Sequence, residues 1–491
     1  MPDNEVSKRV LSGTLWLLLM QIITVCFQFF YAAYSSRRVD QAAFGQYALA
    51  LSATALVGLV SGSGLGLSAS RMVRDSEDGQ RAVVTLALYS GAVTALLLSL
   101  LAGPWSALWG DSGAAATIRL LSVGLLVSPV VAVQIGLLRR DGQFAKLALL
   151  TIVASITGMV TGAICISRSP TSVSLVVSTV VSNWALYLLT SITLGNKVRP
   201  TRDMKGSRPH VEFGLKALIT SILNYAAATI PALSISRWIG LGTLGQWNRS
   251  TVLAVLPIEM VTNALQRAVY PEAQGTGRDV TRIRRMWTLA PVLPSLIVWP
   301  IAGLVTPFMP DIITFLLGPK WQTAGNMGSF LVVGAAGMLT VSVLSAVQES
   351  NGFFAIVWWG TSALLVVSLT GAACLRYSGS WLAVAVASIV GPAVALVIQI
   401  DLAGRRVNIA RAEIYRNLLK AACIGAVLSQ LSRLIREVGA SMPVTAGALL
   451  VVVVSTYLAI LRMKIAEPAV SVLKMSLLQA RDWATKRQSP S

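Results

Sequence analysis

The sequence has little charge: Asp, Glu, Lys and Arg make up only 12% of its 491 residues, while apolar residues make up 55%. Soluble globular domains carry about 25% charged residues. A soluble chain of this length would also divide into domains joined by polar linkers, and no such linker occurs along this chain. The composition therefore excludes an ordinary soluble protein.

Histidine and cysteine are also scarce. His210 is the single histidine, and the four cysteines lie far apart, without the spacing that metal ligands need. The sequence contains no P-loop and no G-x-G-x-x-G motif. We therefore predict no metal and no cofactor, and any uphill transport would draw on an H⁺ or Na⁺ gradient or on metabolic pull.

Long apolar runs, in contrast, recur from one end of the chain to the other. Each is about 20 residues long, which is enough to cross the hydrocarbon core of a bilayer. The sequence thus predicts an all-α polytopic membrane protein with about fourteen transmembrane helices. The predicted spans are 11–34, 43–69, 82–103, 117–138, 145–166, 172–194, 211–236, 246–270, 286–308, 325–348, 352–375, 380–401, 416–437 and 441–462.

The basic residues predict the orientation of these helices. Lys and Arg concentrate at the termini and in the loops after even-numbered helices, so both termini are predicted to be cytoplasmic in the cell membrane, that is, the plasma or inner membrane. The net charge of +20 therefore indicates anionic lipid headgroups as partners, and no nucleic acid.

The outer loops are short, the longest following helix 9, which disfavours an enzyme such as a polymerase. The outer basic residues include Arg37, Arg38, Arg237, Arg249 and Lys320.

Two similar segments lie 200 residues apart. The motif FGQY at 44–47 matches LGQW at 244–247, and at the same offset Ser36 and Arg37 match Ser236 and Arg237. Internal similarity of this kind is typical of transporters with duplicated halves. We predict an N-lobe of helices 1–6 (1–200), a C-lobe of helices 7–12 (201–410), and an extra helix pair with a basic cytoplasmic tail (411–491).

The repeated motif is interpreted as an outer turn that joins the first two helices of each lobe. Tyr47 and Trp247 suit the headgroup layer, and Gly45 and Gly245 allow a turn or a close approach of two backbones. On this interpretation the motif marks the fold more than the chemistry. The sequences G-x-x-x-G at Gly58 and Gly158 likewise predict close helix packing.

Longer stretches around these motifs resemble a known family. RRVDQAAFGQYALAL followed by GSGLGLSASR, the stretch GLGTLGQWNRSTVLAVLPIEMVTNALQRAVYPEAQ, and LLG-x-x-W at 316–321 are similar to Wzx-type oligosaccharide flippases of the MOP exporter superfamily. The resemblance covers about residues 8 to 400. It implies a lipid-linked oligosaccharide substrate, typically on undecaprenyl diphosphate, that is moved across the membrane for polysaccharide assembly. A polysaccharide polymerase is a further conceivable partner.

Polar side chains inside predicted spans are costly and usually face a cavity or a partner. They recur at helical spacing in helices 1, 7 and 8, which suggests a shared cavity. Lys216 and Arg267 are predicted to bind the diphosphate, since Arg and Lys bind phosphate oxygens. Arg37 and Arg237 would meet it on the outer side. Hydrogen bonds to sugar hydroxyls are assigned to Gln21, Gln28, Asn224 and Asn263, and coupling to H⁺ or Na⁺ to Glu259.

Each assignment has a structural alternative. Lys216 and Arg267 can extend to the membrane interface, Glu259 can form an ion pair inside the bundle, and the amides can bond neighbouring helices. Pro257, two residues before Glu259, predicts a kink that is either static or moving.

Two other functions stay open at this point. One is a cation-coupled small-molecule antiporter of the multidrug type, and the other is a lipid II-type flippase, although an Arg-rich, Pro-Asn-containing stretch typical of the latter is not found. A non-transporting scaffold for polysaccharide enzymes is a third possibility.

Overall fold

A computed structural model describes residues 23–24, 26–62, 77–195, 208–274 and 280–437. The first half contains α1 at 26–38, followed by α2 (Gln41–Gly62), α3 (Glu77–Leu108), α4 (Ala114–Arg140), α5 (Phe144–Arg168), α6 (Ser172–Leu194) and α7 (Arg208–Trp238). The second half contains α8 (Leu241–Ser250), α9 (Leu256–Gln274), α10 (Val280–Val305), α11 (Met309–Leu317), α12 (Gln322–Ser350), α13 (Phe354–Ser378), α14 (Leu382–Val407) and α15 (Arg411–Glu437).

The helices confirm an all-α, multi-pass membrane protein. Ten helical segments within the described residues are long and apolar enough to cross a membrane. The total of fourteen spans stays a prediction, because predicted span 441–462 and most of 11–34 lie outside the described residues, as does the basic tail. Predicted spans 7 and 8 are helical as α7, α8 and α9 and are not among those ten.

The connection after α10 differs from the expected loop. A 3₁₀ turn (Thr306–Phe308), α11 and a second 3₁₀ turn (Pro319–Trp321) fill it with helix. Gly318 separates α11 from the second turn with φ +106°, a left-handed value that side chains other than glycine rarely adopt. This glycine ends α11 and redirects the chain into α12.

Packing divides the chain into two compact units. Unit 1 comprises 1–250, 313–324 and 365–384, and unit 2 comprises 251–312, 325–364 and 385–491. These units follow spatial contact rather than chain order, and the lobes proposed from the sequence stay a prediction. The boundary at Ser250 coincides with the start of a π-helical turn, Thr251–Val255, which lies between α8 and α9.

The core of unit 1 lies among α2, α3, α4 and α6. Ala50, Leu98, Ile118 and Val176 are buried together there. Glycine lets further helices approach: on α5, a Cβ added to Gly158 or Gly162 would collide with Ser178 of α6, as the G-x-x-x-G motif predicted. Gly58 is different, since the nearest atom to an added Cβ is 3.8 Å away on Leu125. The motif at Gly58 therefore does not produce the expected tight contact at that glycine.

In unit 2, α10 crosses α15 at a pair of glycines. A Cβ on Gly303 would overlap the carbonyl group of Gly425, and a Cβ on Gly425 would lie 2.7 Å from the carbonyl oxygen of Trp299. Gln399 of α14 is buried and donates from Nε2 to Ser345 Oγ of α12 at 3.0 Å. A buried amide with a partner avoids the free-energy penalty of an unpaired polar group.

A second repeated feature joins α4 to α5 and α12 to α13. The turn at 141–144 has the sequence DGQF, and the turn at 351–354 has NGFF. Gly142 has φ +72° and Gly352 has φ +83°, and the amide after each glycine donates to the residue five positions earlier: Gln143 to Leu138, and Phe353 to Gln348. The similarity between the two halves thus extends beyond the first two helices of each half.

Candidate functional site

The segments that carry FGQY and LGQW pack directly against each other in unit 1. Each motif lies in the first turns of a helix, α2 or α8, rather than in a turn between helices. A Cβ added to Gly45 would overlap the carbonyl oxygen of Leu241, and one added to Gly245 would overlap that of Gln41. Each glycine therefore rests on the carbonyl four residues before its counterpart, which brings the two helix backbones together.

This contact belongs to a larger set of residues, which we name the repeat junction: residues 36–47, 236–250 and 315–324. All of it lies in unit 1. In the repeat junction the two similar segments of the sequence contact each other directly.

An aromatic stack fills the middle of the repeat junction. The ring of Phe44 meets Trp321 edge to face, with 5.3 Å between the ring centroids. The Arg249 guanidinium lies 4.3 Å from the Phe44 ring centroid on α2. Both rings and the arginine are buried, with Arg249 only 7% exposed. A desolvated guanidinium over an aromatic face is attracted by the ring quadrupole.

The prediction that Arg249 lies in a loop is wrong, because it lies in helix α8 and is buried. The guanidinium donates from Nε and Nη2 to the amide oxygen of Asn248, at 3.2 and 2.8 Å. A neutral amide and an aromatic face thus lie against this buried cation, and Tyr31 and Tyr47 are also close enough to interact with it electrostatically. Its polar neighbours in the sequence, Asn248 and Ser250, gave no signal of this burial.

The two motif glutamines hold the starts of other helices. Gln246 is buried; its Oε1 accepts from the amide of Ala324 at 2.8 Å and its Nε2 donates to the Lys320 carbonyl. Ala324 lies in the first turn of α12, where backbone amides lack partners within the helix. Gln46 accepts at Oε1 from the Ser172 hydroxyl, at the start of α6, at 2.8 Å. Each glutamine thus fixes the beginning of a long helix.

The repeated Ser-Arg pairs cross over between the halves. Ser36 accepts at its carbonyl from Trp321 Nε1 at 2.9 Å, and Arg37 donates to the carbonyls of Phe315 and Leu316 at 3.0 and 3.3 Å. These carbonyls lie in the last turn of α11, where the helix dipole favours a cation.

Ser236 and Arg237, the corresponding residues of the second half, lie at the end of α3. Ser236 donates to the Trp109 carbonyl at 3.1 Å. A Cβ on Gly110 would lie 3.8 Å from the nearer Nη of Arg237. Gly110 has φ +89°, a left-handed value like the +106° of Gly318 after α11. Each repeat therefore places its Ser-Arg pair at a helix end of the other repeat.

The headgroup interpretation of the motif aromatics is wrong for Trp247. Its side chain is 8% exposed, because α8 packs within the repeat junction. Tyr47 is half-buried, and its hydroxyl lies 3.3 Å from Thr179 Oγ1 of α6.

The other predicted site residues are distributed over both units. Gln28 on α1 and Asn224 on α7, in unit 1, are exposed, as are Glu259 and Asn263 on α9 in unit 2. Lys216 and Arg267 occupy helices α7 and α9, but their side chains lie outside the described residues, and so does Gln21. Arg37 and Arg237 are exposed within the repeat junction. Substrate binding and ion coupling by these residues stay predictions.

Glu259 follows the kink predicted at Pro257, and the helix is irregular just before that proline. The turn before Pro257 is the π-helical turn Thr251–Val255. Proline lacks the amide hydrogen that would bond four residues back, and π turns are frequent at functional sites. Among the described residues, no three His, Cys, Asp or Glu side chains come together as metal ligands.

Comparison with known proteins now identifies the family. A model of the polysaccharide biosynthesis protein family matches residues 36–325, which include the whole repeat junction. The chain belongs to this family.

Curated relatives agree with this membership. The chain is 22% identical over 279 residues to the teichuronic acid biosynthesis protein TuaB of Bacillus subtilis, covering 55% of this chain and 56% of that one. It is 21% identical over 326 residues to the lipopolysaccharide biosynthesis protein WzxC of Escherichia coli, covering 65% of each chain. The chain thus spans less than two thirds of the length of these two relatives.

A solved structure of the lipid II flippase MurJ, in an inward closed conformation, has a similar fold. Its TM-score is 0.71 at 11% identity, over 92% of this chain and 99% of that chain. For this member of the polysaccharide biosynthesis family, the likeness establishes the fold.

Proposed function

We propose that this protein is a flippase that carries a lipid-linked oligosaccharide, typically on undecaprenyl diphosphate, across the cell membrane for polysaccharide biosynthesis. The observation that carries the proposal is the family match over 36–325. The names of TuaB and WzxC, which refer to teichuronic acid and lipopolysaccharide biosynthesis, support a polysaccharide precursor. The fold shared with a lipid II flippase supports a lipid-linked one.

In the proposed cycle the repeat junction is one of two alternating barriers. The distribution of Lys and Arg predicts that it faces the outer side. The backbones of α2 and α8 meet there at Gly45 and Gly245. A buried stack of Phe44, Trp321 and Arg249 lies beside them, and together these contacts would block passage at that end. Passage of a sugar chain then requires α2 to separate from α8, and the contacts must be remade after release.

The polar residues of α1, α7 and α9 supply the proposed route. Gln28, Asn224 and Asn263 are exposed although they lie in predicted spans, and an amide exposed at that depth needs water or a polar ligand. Sugar hydroxyls can donate to and accept from such amides. Lys216 and Arg267 would receive the diphosphate, and Glu259 would take up the coupling ion.

The test is the lipid-linked intermediate that accumulates when the gene is removed. A flippase defect leaves lipid-linked oligosaccharide on the cytoplasmic leaflet, inaccessible to an externally added glycosidase, and reintroducing the gene restores cleavage. Normal polysaccharide together with increased drug sensitivity would contradict the proposal and favour a multidrug-type antiporter. Loss of polysaccharide without any accumulated intermediate would favour a scaffold.

A further inference from the structure

A groove in unit 2 lies between α10, α12, α14 and α15. It starts where Gly303 and Gly425 bring α10 and α15 into backbone contact. From there small residues on one face of α15 leave a space opposite larger apolar side chains. The lining includes Trp299, Phe330, Val333, Ile389, Ala422 and Ala426.

The groove has a volume that suits a chain-like ligand. Its apolar part measures about 310 Å³, and an adjoining space of about 480 Å³ shares Thr306, Ser329 and Arg433 with it. Both volumes lie in the range of small-ligand sites. A further transmembrane helix, about 10 Å wide and 30 Å long, would need roughly 2,400 Å³. The apolar part is therefore too small for another helix of this chain and large enough for an acyl chain.

The adjoining space is lined by three charged side chains, those of Arg433, Arg436 and Glu437. Arg436 is already neutralised, because its Nε and Nη2 donate to the Asp311 carboxylate at 2.7 and 2.9 Å. Arg433 and Glu437 are exposed one helical turn apart on α15, and neither forms an ion pair or hydrogen bond with another described residue. An exposed pair at this spacing would gain only about 0.3–0.5 kcal/mol from pairing with each other, so neither group is committed to the other.

From this arrangement we infer that the groove binds a zwitterionic amino-phospholipid of the surrounding membrane. One acyl chain occupies the apolar part between α10 and α15. Arg433 donates to the phosphate, since a guanidinium binds phosphate oxygens in two-point geometry. The Glu437 carboxylate accepts from the lipid ammonium group. Within the part of the chain that the structure describes, the groove end offers one unpaired cation and one unpaired anion, which matches phosphatidylethanolamine better than a lipid with a net negative charge.

The binding is tested on the full-length protein by native mass spectrometry after delipidation. Phosphatidylethanolamine, phosphatidylglycerol and a polyprenyl phosphate are added back separately. We expect phosphatidylethanolamine to bind most tightly. Arg433→Gln should weaken binding of both phospholipids about tenfold, the loss of one charge-assisted hydrogen bond. Glu437→Gln should remove only the preference for phosphatidylethanolamine, about threefold to fivefold.

A filling variant tests the apolar part independently of charge. Ala426→Trp should abolish lipid binding, whereas Val427→Trp on the neighbouring, outward face of α15 should not, since Val427 is 66% exposed and does not line the groove. Arg376→Gln, at an exposed arginine in the last turn of α13, is the charge control.

Three results would overturn the inference: equal binding in Ala426→Trp and Val427→Trp, equal binding in Arg433→Gln and Arg376→Gln, or preferential binding of polyprenyl phosphate. The last result would assign the groove to the lipid carrier of the substrate instead. These experiments measure lipid binding and not flipping activity, so their outcome is independent of the test of the proposed function.

Discussion

Gly45 and Gly245, equivalent residues of the two repeats, are in direct contact. A Cβ added to Gly245 would lie 3.0 Å from the amide nitrogen of Gly45, and it would overlap the carbonyl oxygen of Gln41. Two similar segments of the chain thus pack against each other through their backbones. The contact has no side chain that could adjust, because backbone atoms meet backbone atoms.

Substitution of Gly245 is therefore expected to be costly. Gly245→Ala forces α2 and α8 apart, and overpacking of this kind costs about 1–3 kcal/mol. We expect a lower Tm of the purified protein and reduced polysaccharide production. The matched control is Gly242→Ala on the same helix, where an added Cβ would have its nearest neighbour 3.9 Å away on Gln41. If both variants behaved alike, the close approach would have no energetic importance.

The stack of Arg249 on Phe44 is expected to couple α8 to α2 energetically. A double-mutant cycle with Phe44→Leu and Arg249→Gln should give a coupling of about 1–2 kcal/mol, as expected for a desolvated cation–π pair. Thermal unfolding of the four proteins measures it. The comparison cycle pairs Arg249→Gln with Phe30→Leu, because Phe30 is 73% exposed. A coupling as large in that cycle would show that the effect is not specific to the stacked pair.

Gln246 is expected to matter for the start of α12. Gln246→Leu removes the acceptor of the buried Ala324 amide, which should cost about 1–3 kcal/mol. Hydrogen exchange at residues 322–326 should accelerate in this variant. Gln322→Leu, at an exposed position in the first turn of the same helix, provides the control. Unchanged protection of these amides in Gln246→Leu would contradict the capping role.

Much of this fold could be predicted from the sequence, because the length of an apolar run determines whether it can span a membrane. The spans over α3–α6 and α10–α15 follow from that rule. The repeat was also accessible, since Ser36, Arg37, Gly45 and Gln46 recur at one offset. The DGQF and NGFF turns could have been found by the same comparison at an offset of 210 residues, once insertions between the halves were allowed.

The contacts within the repeat junction could not be predicted in the same way. An offset pairs residues in an alignment, whereas the structure brings each residue to a different partner in the other half: Arg37 reaches Leu316, and Gly45 reaches Leu241. The burial of Arg249 depends on Phe44, 205 positions earlier in the chain. Such contacts are set by tertiary packing, and no local pattern of charge or hydrophobicity encodes them.

Substitution of Arg37 can distinguish two roles of its side chain, binding of the substrate diphosphate and capping of α11. Its guanidinium already donates to the Phe315 and Leu316 carbonyls at the end of α11. If it also binds the diphosphate, Arg37→Gln should reduce flipping at least tenfold while lowering the Tm only slightly, because exposed cap interactions are worth about 0.3–1 kcal/mol. Arg38→Gln, which removes an exposed arginine over the Tyr34 ring, serves as the control. A fall in Tm with a proportionate loss of protein would indicate capping alone.

Lys216 and Arg267 carry the most decisive prediction about transport. Lys216→Ala and Arg267→Ala should each abolish flipping while leaving the amount of protein in the membrane unchanged, because a diphosphate loses a charge-assisted contact with either substitution. Complementation of a deletion strain, together with immunoblots of membrane fractions, measures both quantities. Lys420→Ala on α15 removes the same side chain from another span and should complement normally. If the Lys216 and Arg267 variants also complemented normally, the two side chains would only extend to the membrane interface, and the diphosphate site would have to be sought among other cations, first of all Arg249.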